Sequence, residues 1–251
     1  MSTVSVASRG FREPGVELVP GVHAVGPSTR GQYQGGYSRA YLFEHRGGLI
    51  LVDTLWDHDA HMILRYLWSI GGTPRDITDI LITHGHRSHL GGVAILKALS
   101  RAPVRSHAKE APIIAGRAAA AKIPLLPLRP HELMGFRIAS QLGIQPHFAC
   151  EVDDPTLDEG DELAGGMRVM HLPGHTPGNL AFSWDDDRVL AVADTIMTWP
   201  SFSAGWPGFN VDEAVFRESL KRVVDMRPEV VCTGHGDPIW ENAAESISTL
   251  V

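Results

Sequence analysis

The sequence predicts a layered α/β (α+β) sandwich built by one domain over residues 1–251. Three observations carry that expectation. Short apolar runs rich in Val, Ile and Leu are punctuated throughout by Gly and Pro, as strands are by turns. The runs fall in two comparable halves, each closing with a segment of helical period and a further strand. No period of about 20–50 residues repeats, which excludes a solenoid. A length of 251 residues suits one α/β domain, since such domains reach roughly 200–250 residues, here with an insertion at about 117–155.

In the first half Val22–Val25, Ala40–Phe43 and Gly48–Val52 read as strands, the last two joined across Glu44–Gly47. His58–Ile70 places Met62, Leu64, Leu67 and Ile70 near helical spacing and stops at Gly71-Gly72. Ile77–Thr83 is short, apolar and β-branched, like a buried strand; Gly91–Leu99 then reads as a helix and Pro103–Ser106 as a strand. The irregular stretch Gly116–Pro155 holds Pro124, Pro127 and Pro130, read as a surface turn, and a helix from His131 to Leu142. An insertion of this length often serves as a lid or pocket wall. In the second half Met167–Leu172, Leu180–Trp184 and Arg188–Ala193 read as strands. Asp212–Asp225 returns to helical period through Val215, Leu220, Val223 and Val224, and Glu229–Thr233 is the last strand.

Composition narrows the function. Hydrophobic residues make up 43% and charged residues 20%, which suits a packed core and not a disordered chain. Lys and Arg number 22 against 29 Asp and Glu, a net charge of −7, which argues against nucleic-acid and anionic-membrane partners. No apolar run reaches the about 18 residues of a spanning helix. The opening residues MSTVSVASRGFREPG lack an apolar export segment, so a cytoplasmic location is expected, with Cys150 and Cys232 as reduced thiols. Cys232 follows Val230-Val231 and reads as buried and inert. The unusual count is histidine, 13 residues in 251.

The histidines cluster in Thr83-His84-Gly85-His86-Arg87-Ser88-His89, directly after a predicted strand. At this histidine frequency chance is a poor explanation for HxHxxH. His84 and His86, two apart in extended chain, project to one side, and His89 follows as the chain turns into a helix. Imidazoles held between a strand and a helix can converge within about 2.0–2.1 Å of a zinc ion. Three more segments end an apolar strand in a polar residue beside Gly or Pro. They are Pro173-Gly174-His175-Thr176-Pro177-Gly178, Asp194-Thr195 after Val189–Ala193, and Gly234-His235-Gly236-Asp237-Pro238. Taken singly, a strand-end His or Asp caps a turn. Taken together they bring His, Asp and His to the ends of successive strands.

Read in order, LVDT at 51–54, THGHRSHLGG at 83–92, LPGHTPGN at 172–179, ADT at 193–195 and TGHG at 233–236 resemble the metallo-β-lactamase-fold hydrolase superfamily over residues 20–240. The resemblance implies an αββα sandwich of two mixed β-sheets flanked by helices, with a one- or two-zinc site along the sheet edges. It implies that His84, His86 and His175 hold the first ion, that Asp194 bridges, and that His89 and His235 complete the second site. Asp53 matches the family's acidic residue behind the site; a strand-end turn residue is the plainer reading of the same position.

Ser88 departs from the family pattern, which carries an aspartate there. A hydroxyl is a far weaker ligand than a carboxylate, so one Zn²⁺ is expected firmly and a second more weakly. The expected activity is that of a zinc hydrolase. A metal-bound hydroxide attacks an ester, lactone, thioester or amide carbonyl of a small-molecule substrate, with Ser88 and Asp194 acting beside it. Trp199, Phe202 and Trp206 lie in a Gly- and Pro-rich stretch that reads either as a pocket wall or as a loop packed on the sandwich. Leu125–Leu128 and His131–Phe136 of the insertion could form the opposite wall. A true β-lactamase fits poorly with the missing export segment, and a glyoxalase-II-like thioesterase with the few residues after His235. A nuclease fits poorly with the net charge. The resemblance also admits a persulfide-dioxygenase-like oxidoreductase with a single iron, and a metal-binding member that has lost turnover.

Overall fold

Two β-sheets lie face to face, and a layer of helices covers the outer face of each. The computed structural model describes residues 14–26, 37–121, 149–186, 188–206 and 208–251. The predicted helix His131–Leu142, the turn at Pro124–Pro130 and the insertion's share of a pocket wall lie outside these residues.

The first sheet runs in the order β1 (Gly15–Val19), β2 (Val22–Val25), β3 (Ala40–His45), β4 (Gly48–Val52), β5 (Ile77–Leu81), β6 (Val104–Arg105). Its first four strands form an antiparallel meander, while β4–β5 and β5–β6 pair in parallel. A parallel pair needs a crossover, and the helices α1 (His61–Ser69) and α3 (Val93–Ser100) lie in these two connections. A single helical turn, α2 (Arg87–Leu90), precedes α3, and α4 (Ala111–Ile114) follows β6. The second sheet has the order β12 (Val230–Thr233), β9 (Val189–Ala193), β8 (Leu180–Trp184), β7 (Arg168–His171). A hairpin of β10 (Ile196–Met197) and β11 (Ser203–Ala204) leads to α5 (Glu213–Asp225), and α6 (Ala243–Ser248) follows β12.

The strands read as near-continuous apolar runs because both of their faces are covered. Alternate side chains point opposite ways. In β3 and β4, Tyr41, Phe43, Ile50 and Val52 enter the core between the sheets with Phe182, Val189 and Cys232. Their neighbours Leu42, Leu49 and Leu51 pack outward on Ile63 and Leu67 of α1 and Leu96 of α3. In the second sheet Leu190, Val192 and Val231 face outward to Leu220 and Val223 of α5 and Ile247 of α6. Each fully buried Phe or Leu contributes about 1.5–3 kcal/mol.

Most predicted elements stand with shifted ends. Helix α1 starts at His61, after Ala60 at φ 52°, and not at His58. Asp212 is the cap of α5 and not its first turn: its carboxylate accepts from the Ala214 and Val215 N–H groups, each at 3.0 Å. Strand β1 is not predicted from the sequence because GVELV is half-buried along its length and Glu17 breaks the apolar run. The described ends of the insertion follow the edge of β6, where Asp153 N–H donates to the Val104 carbonyl at 2.7 Å and Leu157 N–H to Ser106 at 2.9 Å. Among the described residues no helix is long and apolar enough to cross a membrane.

Candidate metal centre

The candidate donors sit where strands stop. Asp53 follows β4, Thr83, His84 and His86 follow β5, His175 lies between β7 and β8, Asp194 follows β9, and His235 comes just after β12. These ends meet because the sheets are stitched along this edge. Arg39 N–H donates to the Gly234 carbonyl and Leu180 N–H to the Thr83 carbonyl, both at 2.9 Å. The Tyr41 hydroxyl donates to the Thr233 carbonyl at 2.8 Å. Two corners hold non-glycine residues in the left-handed region, Asp53 at φ 60° and Ala193 at φ 49°. Such a conformation costs on the order of 1 kcal/mol or more, and each corner delivers a carboxylate, Asp53 or Asp194, to the edge.

His84, His86, His175 and Asp194 form one buried group. His86 Nδ1 lies 3.0 Å from His84 Nε2 and 3.1 Å from His175 Nε2. Asp194 Oδ2 lies 3.3 Å from His175 Nε2 and 3.9 Å from His84 Nε2. Ligand atoms placed tetrahedrally about 2.0–2.1 Å from a centre are about 3.3–3.4 Å apart, so the set fits a divalent ion. Outer hydrogen bonds choose the tautomers. The Thr83 hydroxyl gives its proton to Asp53 and so accepts from His84 Nδ1–H at 3.0 Å, while His175 Nδ1–H donates to Asn210 Oδ1 at 3.2 Å. The Nε2 lone pairs of both rings then face inward. Burial and the neighbouring imidazoles, His89 and His86 foremost, push His84 well below the usual histidine range; burial and His175 do the same for His86. Neutral imidazole is the form that ligates.

His89, Asp194 and His235 form a second buried group sharing the same carboxylate. His89 Nε2 lies 3.3 Å from Asp194 Oδ1, and His235 Nε2 lies 3.4 Å from Oδ2. His89 Nε2 and Asp194 Oδ1 are buried without a hydrogen-bond partner, and an unmatched buried polar pair is costly. A cation between them would satisfy both. Behind them Asp53 accepts from His89 Nδ1–H at 2.7 Å, Thr83 N–H at 2.9 Å and the Thr83 hydroxyl at 2.9 Å. Burial pulls the His89 imidazole down, but Asp53 and Asp194 on either side lift it to about 10. Burial likewise pushes the Asp194 carboxyl up, while the His235 and His89 charges and hydrogen bonds from His175 and His235 hold it well below the usual carboxylate range.

Ser88 is buried in α2, between the donors His86 and His89. Trp199 and Trp206 belong to an aromatic wall beside the donors, and Phe202 packs against the outer core that includes Ile196. The wall also takes in Tyr37, 5.1 Å from Trp199, and Phe209, stacked 5.8 Å from His175. Trp206 stands 6.1 Å from His235. Tyr37, Asn210 and Glu110 carry no ligand spacing and were not legible as site residues. Buried Arg39 is another: its Nε donates to the Gly236 carbonyl at 2.6 Å and its Nη2 to Asp237 at 2.6 Å, bracing the His235 loop. A third group, His107, Asp158 and His171, does not suit an ion. Its two rings stack 13° from parallel at 4.4 Å, so their in-plane lone pairs cannot meet. His107 Nδ1 already accepts from Lys109 N–H, and His171 Nε2 donates to the Pro177 carbonyl.

Comparison with known proteins shows the family and the fold. The profile of the metallo-beta-lactamase superfamily matches residues 33–235. The "Probable metallo-hydrolase YflN" of Bacillus subtilis is 26% identical over 213 residues, 76% of either chain. A hydroxyacylglutathione hydrolase of Rhodopseudomonas palustris is 31% identical over 125 residues, 49% of this chain and 35% of that protein. Among solved structures, a Cronobacter sakazakii metallo-beta-lactamase with a HARLDQ motif superposes with a TM-score of 0.66 at 21% identity. The overlap covers 90% of this chain and 79% of that one, and shows the shared fold. TTHA1623 in a di-iron-bound form gives a TM-score of 0.58 at 28% identity, over 83% of this chain and 92% of that one.

Proposed function

We propose that this chain, which belongs to the metallo-beta-lactamase superfamily, is a metal-dependent hydrolase that uses zinc to cleave an ester, lactone, thioester or amide of a small molecule. The observation that carries the reading is the convergence of His84, His86, His175 and Asp194, buried, with their outer hydrogen bonds leaving lone pairs aimed at one point. A bound zinc ion would supply an acidified water and polarise the substrate carbonyl. The chain's own residues do the rest. Asp194 is shared between the two donor groups, so its ionised carboxylate serves both. Asp53 and Thr83 keep the ring protons of His89 and His84 on the outer side. Tyr37, Trp199, Trp206 and Phe209 give the site an apolar wall suited to a substrate with an apolar part. Ser88 can hydrogen-bond the attacking water but cannot take its proton as a carboxylate would, and it leaves the second donor group weaker.

The names carried by the sequence relatives, a probable metallo-hydrolase and a hydroxyacylglutathione hydrolase, support hydrolysis. Iron is the competing ion, favoured by the di-iron form of TTHA1623. The deciding experiment is metal analysis of the wild type, Ser88→Asp and His235→Ala, paired with ester, lactone, thioester and β-lactam substrates. A single zinc in the wild type, a second gained in Ser88→Asp, and hydrolysis of at least one substrate class are expected. Zinc-loaded protein that turns over nothing across that panel would refute a hydrolase. Iron in the isolated protein, with O₂ consumed in the presence of a persulfide, would replace the reading with an oxidoreductase.

A further inference from the structure

Glu110 belongs to none of the histidine and aspartate motifs, yet its side chain is fully buried. Its Oε2 accepts the Gly85 N–H and its Oε1 the Gly178 N–H, each at 2.8 Å. Gly85 stands between the donors His84 and His86, and Gly178 three residues after the donor His175. One carboxylate therefore grips two ligand loops, one from each sheet, whose nitrogens His86 Nδ1 and His175 Nε2 are 3.1 Å apart. Glu110 is itself anchored: it caps α4, donates its N–H to the His107 carbonyl at 2.9 Å and accepts from Ile114 N–H at 3.0 Å.

The two glycines are the imprint of this grip. Neither has a positive φ, so backbone conformation does not demand glycine at either place. Space does. A Cβ on Gly85 would come within 2.7 Å of Ile113 Cγ2 and 3.0 Å of Glu110 Oε2. A Cβ on Gly178 would come within 2.7 Å of Glu110 Cγ and 2.8 Å of His107 Nδ1. The same loop is held again where His171 Nε2–H donates to the Pro177 carbonyl at 2.9 Å. Among the described residues no cation pairs with Glu110, so the two N–H dipoles meet its charge.

We infer that Glu110 is a positioning residue of the metal centre, a carboxylate clamp that sets the His84–His86 loop against the His175 loop. The inference rests on the reading of the histidine cluster as a metal site. A glutamine keeps the shape but offers one acceptor and one donor, so it can satisfy only one of the two N–H groups. An aspartate is one methylene short and cannot span both.

The test uses the full chain with Co²⁺ and Zn²⁺ as probes. The wild type, Glu110→Gln, Glu110→Asp and a surface control, Glu241→Gln, are compared by chelator-competition affinity and by the ligand-field spectrum of bound cobalt. Supporting partners of metal ligands are worth about 10–100-fold in affinity. A loss of that size with an altered cobalt spectrum is expected in both Glu110 variants, with the control unchanged. Wild-type affinity and an unchanged spectrum in the folded Glu110 variants would overturn the inference. Through-hydrogen-bond couplings from the Gly85 and Gly178 nitrogens to the Glu110 carboxyl carbon, measured on the wild type, stay decisive if a variant fails to fold. Their presence supports the clamp and their absence refutes it. A wild-type chain that takes up neither ion would sink the metal reading itself, whatever the couplings show.

Discussion

Replacing Asp53 by Asn tests the link between the outer hydrogen bonds and the donors most directly. The Asp53 carboxylate accepts from His89 Nδ1–H at 2.7 Å and from the Thr83 N–H at 2.9 Å. An asparagine oxygen can still accept from Thr83, but its NH₂ group then faces the His89 N–H, donor against donor. A hydrogen bond to a charged group contributes about 1.5–3 kcal/mol, so the metal-free protein should lose about 2 kcal/mol. For a chain of this size that is a drop of about 4–8 °C in melting temperature. In the neutral form that binds metal, His89 escapes the clash by carrying its proton on Nε2, which removes the lone pair that would hold an ion beside Asp194. Affinity at the His89–Asp194–His235 group should therefore fall about 10–100-fold, while the His84–His86–His175 group keeps its ion. Urea unfolding of chelator-treated protein measures the first effect, and stepwise Zn²⁺ titration against a competing chelator the second. Equal loss at both groups, or no change in either quantity, would refute the assigned role.

Arg39→Met removes a fully buried partner of Asp237 and of the Gly236 carbonyl, and should cost about 3–5 kcal/mol by urea unfolding; a change under about 1 kcal/mol would show that the pair does not brace the His235 loop. Saturation with Zn²⁺ at about 100 times its Kd should stabilise the fold by about 2.7 kcal/mol, so a chelator should lower the melting temperature, and an unmoved transition would argue against a bound ion. Burial pushes both the Cys150 and Cys232 thiols up. Iodoacetamide at pH 8 should therefore leave them unlabelled until the chain unfolds, as read by intact mass; fast labelling of native Cys232 would contradict its place between the sheets. Trp206→Ala opens the aromatic wall next to His235, and should raise KM for aromatic esters about tenfold with metal content unchanged; loss of metal instead would mean the ring supports the donors.

Most strands of both sheets were legible because a short apolar run bounded by Gly and Pro is a local property of the chain. Tyr41, Leu42 and Phe43 illustrate it, each buried yet pointing to alternating cores. Strand β1 was not, since GVELV is half-buried and its pairing with Val22–Val25 is what makes it a strand. The five donor histidines and Asp194 were legible as a set, through spacing and through their common place at strand ends. The histidine pair His107 and His171 showed no such pattern, and only the packing brings the two rings together, stacked 13° from parallel.

The sequence by itself pointed to most of the elements and to the residue types that carry the chemistry. Period and motif are written along the chain, and burial of an apolar face needs no knowledge of what covers it. The tertiary structure alone decided which nitrogen of His84, His89 and His175 faces inward, through Thr83, Asp53 and Asn210. It also decided which rings form the wall, and that Glu110, 25 and 68 residues from its two glycines, joins their loops. Those facts depend on how the two sheets pack face to face and bring their strand ends together. No local pattern records that approach, because each partner is an ordinary residue until the packing brings the other within about 3 Å of it.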